Sequence, residues 1–153
     1  MGGAVAILLA ARHPKLVSRL VLVDGNLDPY PPGTGLPTRH ASEEEFVHGG
    51  GLARELTLAG EHWAATMRLA GPEALYRSAV HLARGSRPTM RELLVELQIP
   101  RTYLYPAGNP PADPKGLTAA GVRLVEIPDS GHNIMLDNRH AFAEATATAT
   151  ALG

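Results

Sequence analysis

The sequence contains no cysteine and few aromatic residues, with two Phe, four Tyr and one Trp among 153 residues. The absence of cysteine excludes a disulfide scaffold, a thiolate metal site and a cysteine nucleophile. No apolar run approaches the roughly 18 residues of a membrane-spanning helix, and we recognise no targeting signal at the start of the chain. We therefore expect a soluble, cytoplasmic protein.

The two signs of charge are nearly balanced over the chain. The 14 Lys and Arg residues and the 15 Asp and Glu residues are interleaved, and the formal net charge is −1. This pattern provides neither a basic patch for nucleic acid nor a cationic cluster for an anionic membrane surface, so we expect neither partner. The length and a hydrophobic fraction of 44% predict one ordinary globular domain.

The start of the chain predicts a helix followed by a strand. The segment from Gly3 to Arg12 (GAVAILLAAR) is apolar nearly all round and stops before His13-Pro14, which is typical of a buried helix. Leu20 to Val23 (LVLV) is a short apolar run that ends at Asp24-Gly25, which indicates a strand covered on both faces. Together they predict an α/β unit.

The middle of the chain is predicted to be helical. Residues 25–38 are rich in Pro and Gly and predict a loop. No strand candidate follows between residues 42 and 97, where Ser42-x-x-Glu45 predicts a capping box and Thr89 predicts the N-cap of the last helix of the region.

The α/β alternation returns after residue 98. Residues 101–106 and 122–127 predict two further strands, so that with residues 20–24 we expect three parallel strands of an α/β fold. Asp113 before Pro114 predicts the start of a short helix between them. A tight loop, 128–132, precedes a closing helix from about residue 139.

This order of motifs resembles the C-terminal part of an α/β-hydrolase fold enzyme. The segments that carry the resemblance are MGGAVAILLAARHPKLVSRLVLVDG, IPRTYLYPAG and VRLVEIPDSGHNIMLDN, and the Ser130-Gly131-His132 loop after a strand is the most specific of them. The resemblance covers essentially the whole chain. It implies a partial α/β-hydrolase core in residues 1–37 and 98–153, with a helical cap in residues 38–97.

The resemblance implies that the nucleophile is missing from this chain. In that family the serine lies in a Gly-x-Ser-x-Gly turn between a strand and a helix, and Met1-Gly2-Gly3 before an apolar helix matches the half after the serine. The serine would then precede Met1, and the Met1 amide would be an oxyanion-hole donor. The serines at positions 18, 42, 78, 86 and 130 stand outside any such turn. We therefore expect the 153 residues alone to be inactive.

The remaining triad positions are also implied by the resemblance. His132 is the candidate base, and Asp24, at the end of its strand, is the preferred acid that orients it. Asp113 is the alternative acid, although it has a structural role as an N-cap, and Asp28 is a weaker one. We interpret the other six histidines as solvated or packing residues.

Two further features are interpreted from their positions. His48-Gly49-Gly50-Gly51 copies the HGGG oxyanion motif of lipases, but it lies downstream of the expected nucleophile, so we interpret it as a break between two helices. Trp63 and Met67, with Phe46 and Tyr76, are candidates for a substrate pocket or for ordinary core. No metal or cofactor is expected, because no His or carboxylate pair has zinc-like spacing.

We therefore predict an esterase-like serine hydrolase that acts on an ester-like or related acyl bond of a small-molecule substrate. The alternative is a non-catalytic remnant or interaction module of the same fold. In that case the unpaired edge of the strand at residues 20–23 would favour self-association.

Overall fold

The computed structural model describes residues 2–31, 35 and 39–151. The chain divides into two compact units, one formed by Met1–Asp28 with Pro88–Gly153 and the other by Pro29–Arg87. Within the described part of the chain, no helix combines the length and the apolar character that crossing a membrane requires.

The first unit is built on a parallel sheet. Its strands are β1 (Leu20–Val23), β2 (Arg101–Pro106) and β3 (Val122–Ile127), in the order β1-β2-β3. Leu22 of β1 pairs with Tyr103 of β2, which in turn pairs with Leu124 of β3. The prediction of an α/β fold with three parallel strands is confirmed.

Helices of the first unit cover both faces of the sheet. On one face, Leu20 and Leu22 share a core with residues of α1 (Gly2–Arg12) and of two later helices. On the other face, Val21 and Val23 pack in a cluster with Leu104. Since alternate residues of β1 face opposite layers, an apolar residue at every position is what a covered strand requires. The helices that complete these layers are α6 (Met90–Glu96), α7 (Pro114–Ala119), α8 (Ile134–Asp137) and α9 (Arg139–Thr150).

Helix α1 buries one face rather than its whole surface. Ile7 and Ala10 are inaccessible to solvent, whereas Val5 is 66% exposed and Leu9 is 44% exposed. The expectation of a fully buried helix is therefore wrong for the described residues, because only one side of α1 lies against the sheet and α6.

The boundary between the units differs from the one that the sequence predicted. Residues 88–97 were assigned to the helical cap, but they belong to the compact unit that contains the sheet. The physical reason is that Leu94 and Leu97 are buried in the same core as Ile7. Helical periodicity alone carries no information about which core a helix joins.

Four helices of the second unit lie in the described part of the chain. They are α2 (Glu43–His48), α3 (Gly51–Leu58), α4 (Gly60–Met67) and α5 (Pro72–Arg84). The His48-Gly49-Gly50-Gly51 motif separates α2 from α3, as expected, with Gly50 in the left-handed region at φ 82°. A Cβ atom on Gly51 would lie 2.5 Å from the Cα of Phe46, so the close approach of these helices requires glycine there.

A buried ionic cluster in the second unit was not predicted. The side chain of His40 is 2% exposed, and its Nδ1 and Nε2 atoms lie 3.0 Å and 2.8 Å from the carboxylates of Glu45 and Glu55. Arg39 donates two hydrogen bonds to Glu55, at 2.8 and 2.7 Å. The hydrogen bond from Arg39, with that from His40, holds the pKa of Glu55 below its usual value, although burial opposes this shift.

The capping box predicted at Ser42 is only half formed, because the Glu45 carboxylate belongs to the same cluster. The hydroxyl of Ser42 accepts a hydrogen bond from the Glu45 backbone amide, so the N-cap of α2 is confirmed. The Glu45 carboxylate contacts His40 and Arg54. At Thr89, in contrast, both halves of the capping box are present.

We expect Glu55→Gln to lower the free energy of unfolding by about 1–3 kcal/mol at neutral pH, because the buried His40 and the exposed Arg39 lose a charged partner. Since the folded-state pKa of Glu55 is lowered, its contribution is complete above the unfolded-state pKa of about 4.3 and is lost as the pH falls through the folded-state value. The gap between parent and variant in urea unfolding should therefore close below about pH 4.

Glu61→Gln is the matched control, since Glu61 is exposed in the first turn of α4. This variant should change the free energy of unfolding by less than about 0.5 kcal/mol at either pH. A Glu55→Gln gap that stayed constant as the pH fell would contradict the role of the carboxylate charge.

Candidate active site

Asp24 lies in a left-handed turn at the carboxyl end of β1. Its φ is 42°, a region that Asp tolerates better than most residues. Its backbone amide donates to the carbonyl of Leu104 at 2.8 Å, which extends the contact with β2 by one residue beyond Val23. This hydrogen bond fixes the start of the turn at the end of the sheet.

His132 lies in the loop that follows β3, and hydrogen bonds tie this loop at several points. Ser130 donates its hydroxyl proton to the carbonyl of Ile127 at 2.9 Å. The amide of Gly131 donates to Asp137 Oδ2 at 2.9 Å. Asn138 donates from Nδ2 to the carbonyl of Pro128, also at 2.9 Å, which closes the loop against the start of α9. The loop therefore has a defined path despite its exposure.

The structure brings His132 and Asp24 into contact. His132 Nδ1 lies 2.6 Å from Asp24 Oδ2, although 108 residues separate them in the chain. The Asp24 side chain is 14% exposed and that of His132 is 53% exposed. A contact this short between an imidazole and a carboxylate is a charge-assisted hydrogen bond, with the proton on Nδ1. It orients the ring, so that Nε2 is the nitrogen that would exchange protons with a substrate or nucleophile.

The first turn of helix α1 adjoins the turn that carries Asp24. A Cβ atom built on Gly3 would lie 3.7 Å from the Cα of Gly25 and 3.6 Å from Cδ2 of Leu22. The amino-terminal end of α1 therefore lies at the same edge of the sheet as the His132–Asp24 pair. Met1, the candidate oxyanion donor, lies outside the described residues.

The two alternative acids have other partners. Asp113 is the N-cap of α7, as predicted, and its Oδ1 accepts a hydrogen bond from the Gly116 amide at 3.0 Å. Asp28 forms an ion pair with Arg91 at 2.6 Å. Asp24 is thus the candidate acid that the described structure places against His132.

The candidate pocket residues all lie in the second unit. Trp63 and Met67 are on α4, and Trp63 is 44% exposed. Phe46 is completely buried, with its ring centroid 5.5 Å from that of Tyr76, so it belongs to the core of its own unit. Among the residues that the structure describes, no group of three His, Cys, Asp or Glu side chains is arranged to hold a metal ion.

Sequence reasoning missed the residues that hold the two loops. The short helix α8 was not predicted, nor were the hydrogen bonds of Asp137 and Asn138 to the loop that carries His132. A signal for one of them was present, since an Asn directly before a helix is a common N-cap, and Asn138 Oδ1 indeed accepts from the Ala141 amide at 3.1 Å. Its second bond, to Pro128, depends on tertiary structure.

Comparison with known proteins gives a family and two similar structures. The model of the alpha/beta hydrolase family matches residues 1–145. A search of curated proteins found no match. NosK from Streptomyces actuosus is similar at 22% identity and a TM-score of 0.53, over 97% of this chain and 64% of NosK. A thioesterase domain from the curacin biosynthetic pathway is similar at 19% identity and a TM-score of 0.57, over 97% of this chain and 63% of that domain.

These likenesses define the fold and the extent of the match. At 22% and 19% identity they show a shared fold. The chain spans slightly less than two thirds of the length of either solved structure.

We expect Asn138→Ala to lower the free energy of unfolding by about 1–2 kcal/mol, because the variant loses both the cap of α9 and the tie to the Pro128 carbonyl. Urea unfolding followed by circular dichroism measures the change. Thr148→Ala, at an exposed position of the same helix, is the control and should be nearly neutral. An equal effect of the two substitutions would show that the tie does not stabilise the loop.

Proposed function

Because the chain belongs to the alpha/beta hydrolase family, we propose that it supplies the acid and the base of a Ser-His-Asp triad that hydrolyses an ester-like or related acyl bond in a small molecule. The observation that supports this most directly is the 2.6 Å contact between His132 Nδ1 and Asp24 Oδ2. A hydrogen bond at Nδ1 is what a triad base requires, since it leaves Nε2 to face the nucleophile.

In the proposed reaction, His132 takes the hydroxyl proton of the serine at Nε2 while the serine oxygen attacks the acyl carbonyl. The resulting imidazolium then gives this proton to the leaving group, and the acyl-serine that remains is hydrolysed by water with the same base. Asp24 stays ionised throughout and stabilises the imidazolium through Nδ1–H. Its low exposure strengthens this interaction because less water screens it.

The nucleophile is proposed to lie directly before Met1, at the amino-terminal end of helix α1. The packing of Gly3 against Gly25 supports this position, because it puts the start of α1 beside the turn that carries Asp24. The Met1 amide would then donate to the oxyanion. Two of the serines in the chain have structural roles, Ser42 as an N-cap and Ser130 as a donor to Ile127.

The substrate class is proposed to include esters and thioesters of small acids. A thioester belongs to the same group of acyl bonds, and one of the similar folds is a thioesterase domain. A panel of nitrophenyl esters and acyl thioesters of increasing chain length covers this class.

Substitution of each candidate acid in turn distinguishes between them. The protein used is the full product of the reading frame that contains residues 1–153, which is called the in-frame product below. Asp24→Asn is expected to lower kcat for a nitrophenyl ester by about 10³–10⁴-fold, because the imidazole loses the partner that sets its tautomer and stabilises its charge. Asp113→Asn should leave kcat unchanged within about threefold and lower the stability of the protein by about 0.5–2 kcal/mol, as loss of an N-cap does.

His132→Ala is the reference variant and should abolish turnover. If Asp113→Asn abolished turnover while Asp24→Asn retained it, the assignment of the acid would be wrong. The reading frame upstream of the Met1 codon is informative by itself, since roughly 90–110 in-frame residues that end in Gly-x-Ser would supply the nucleophile.

A second candidate function is an interaction module without catalysis. Within residues 2–31, 35 and 39–151, β1 pairs with β2 alone, so its other edge presents backbone donors and acceptors. Helix α1 beside it exposes Val5 and Leu9. An apolar parallel edge of this kind favours association with another chain or with a second copy.

We expect residues 1–153 expressed alone to self-associate and to show no turnover of a nitrophenyl ester, because the β1 edge is open and the proposed nucleophile is absent. Size-exclusion chromatography with light scattering and a spectrophotometric esterase assay measure both properties. Val5→Lys should reduce self-association, whereas Glu144→Lys, at an exposed position of helix α9 in the same unit, should not. A monomer that melts cooperatively and cleaves the ester would contradict this expectation.

A further inference from the structure

Tyr103 is a buried residue that contacts the turn of the candidate acid. It lies on β2, the central strand, and is 3% exposed. Its hydroxyl donates to the carbonyl of Gly25 at 2.7 Å. Gly25 directly follows Asp24, so this hydrogen bond reaches the peptide unit next to the carboxylate that contacts His132.

The turn needs such support, because β1 ends just before it. Asp24 has a left-handed φ, a conformation that costs on the order of 1 kcal/mol for a residue other than glycine. Its amide is fixed by Leu104, as described above. The carbonyl of the next residue is fixed by Tyr103. The direction of the Asp24 side chain is thus set by hydrogen bonds on both sides of its Cα.

Arg91 holds the following residues of the same segment. Its backbone amide donates to the carbonyl of Leu27 at 3.0 Å. Its guanidinium donates to both carboxylate oxygens of Asp28 and to the carbonyl of Ala112. The ion pair with Asp28 raises the pKa of Arg91 further above its usual value. Residues 24–28 are therefore attached to β2 and α6.

The electrostatic surroundings keep the Tyr103 hydroxyl in its donating form. Burial, followed by the negative charge of Asp24, raises the pKa of the phenol well above its usual value. The phenol therefore stays protonated at neutral pH. A phenolate could not donate to the Gly25 carbonyl.

We propose that Tyr103 is a positioning residue of the active site, whose hydroxyl holds the turn of residues 24–28 so that the Asp24 carboxylate meets His132 Nδ1. Arg91 is the second anchor of the same turn. This inference rests on the proposed function, because it assigns Tyr103 to the orientation of the proposed base. Its direct consequence is the tautomer of His132, which is measurable without any turnover.

The test compares Tyr103→Phe with Tyr105→Phe in the in-frame product. Tyr105 lies two residues further along β2 and packs against the same core. The ¹⁵N chemical shifts of the His132 ring, recorded where the imidazole is neutral, report the ratio of the Nδ1–H to the Nε2–H tautomer. Tyr103→Phe should lower this ratio about fivefold, the effect of one neutral hydrogen bond. Tyr105→Phe should leave it at the parent value.

Activity provides a second readout for the same variants. Tyr103→Phe should lower kcat by a similar factor and leave KM unchanged, since the residue orients the base and does not touch the substrate. If Tyr103→Phe did not fold by circular dichroism, Arg91→Lys would test the second anchor, because lysine cannot form the two-pronged contact with Asp28. It should lower the tautomer ratio in the same direction.

The outcomes separate this inference from the proposed function. An unchanged tautomer ratio in folded Tyr103→Phe, with only a lower melting temperature, would show that Tyr103 is ordinary core and would overturn the inference. A tautomer ratio that falls both in Tyr103→Phe and in Asp24→Asn supports it. If that fall were seen in a product that hydrolyses none of the esters or thioesters, the positioning would stand and the hydrolase proposal would fail.

Discussion

The parallel pairing of three short strands is the constraint on which the candidate site depends. Because β1 and β3 run in the same direction on either side of β2, their carboxyl ends reach the same edge of the sheet. The loops that follow them carry Asp24 and His132. A reversal of either strand would move one of these side chains to the opposite edge. The 2.6 Å contact is thus a consequence of topology before it is a property of the two side chains.

The loops at this edge store some backbone strain, which the surrounding hydrogen bonds offset. Asp24 and Asp129 both have positive φ, and each lies just after a strand. A side-chain hydrogen bond fixes the residue after each of them. Tyr103 donates to the carbonyl of Gly25, and the Ser130 hydroxyl donates to the carbonyl of Ile127. Strained turns with several such supports are typical of functional sites. The cost of order 1 kcal/mol per residue is met by contacts that also fix where the side chains point.

Local patterns in the sequence were sufficient for the strands and the caps, whereas the candidate pair came from the resemblance to the α/β-hydrolase fold. The apolar runs gave β1 and β3, and Asp113 and Thr89 were identified as caps from one or two neighbouring residues. Contacts between distant residues were not accessible in this way. His40 and Glu55 lie on either side of a helix and a glycine break, and nothing in the spacing of these charged residues distinguishes a buried cluster from a solvated surface. Similarly, helical periodicity placed α6 with the other helices, although its leucines complete the core of the sheet.

The two histidine environments show why residue type alone does not identify a base. His40 contacts a carboxylate at each ring nitrogen and is 2% exposed, so both nitrogens are engaged by side chains of its own unit. His132 contacts Asp24 at Nδ1 and is 53% exposed, so its ring is oriented and still reached by solvent. A general base must be both held at one nitrogen and able to exchange a proton at the other. By that criterion His132, and not His40, is the candidate base of the proposed function.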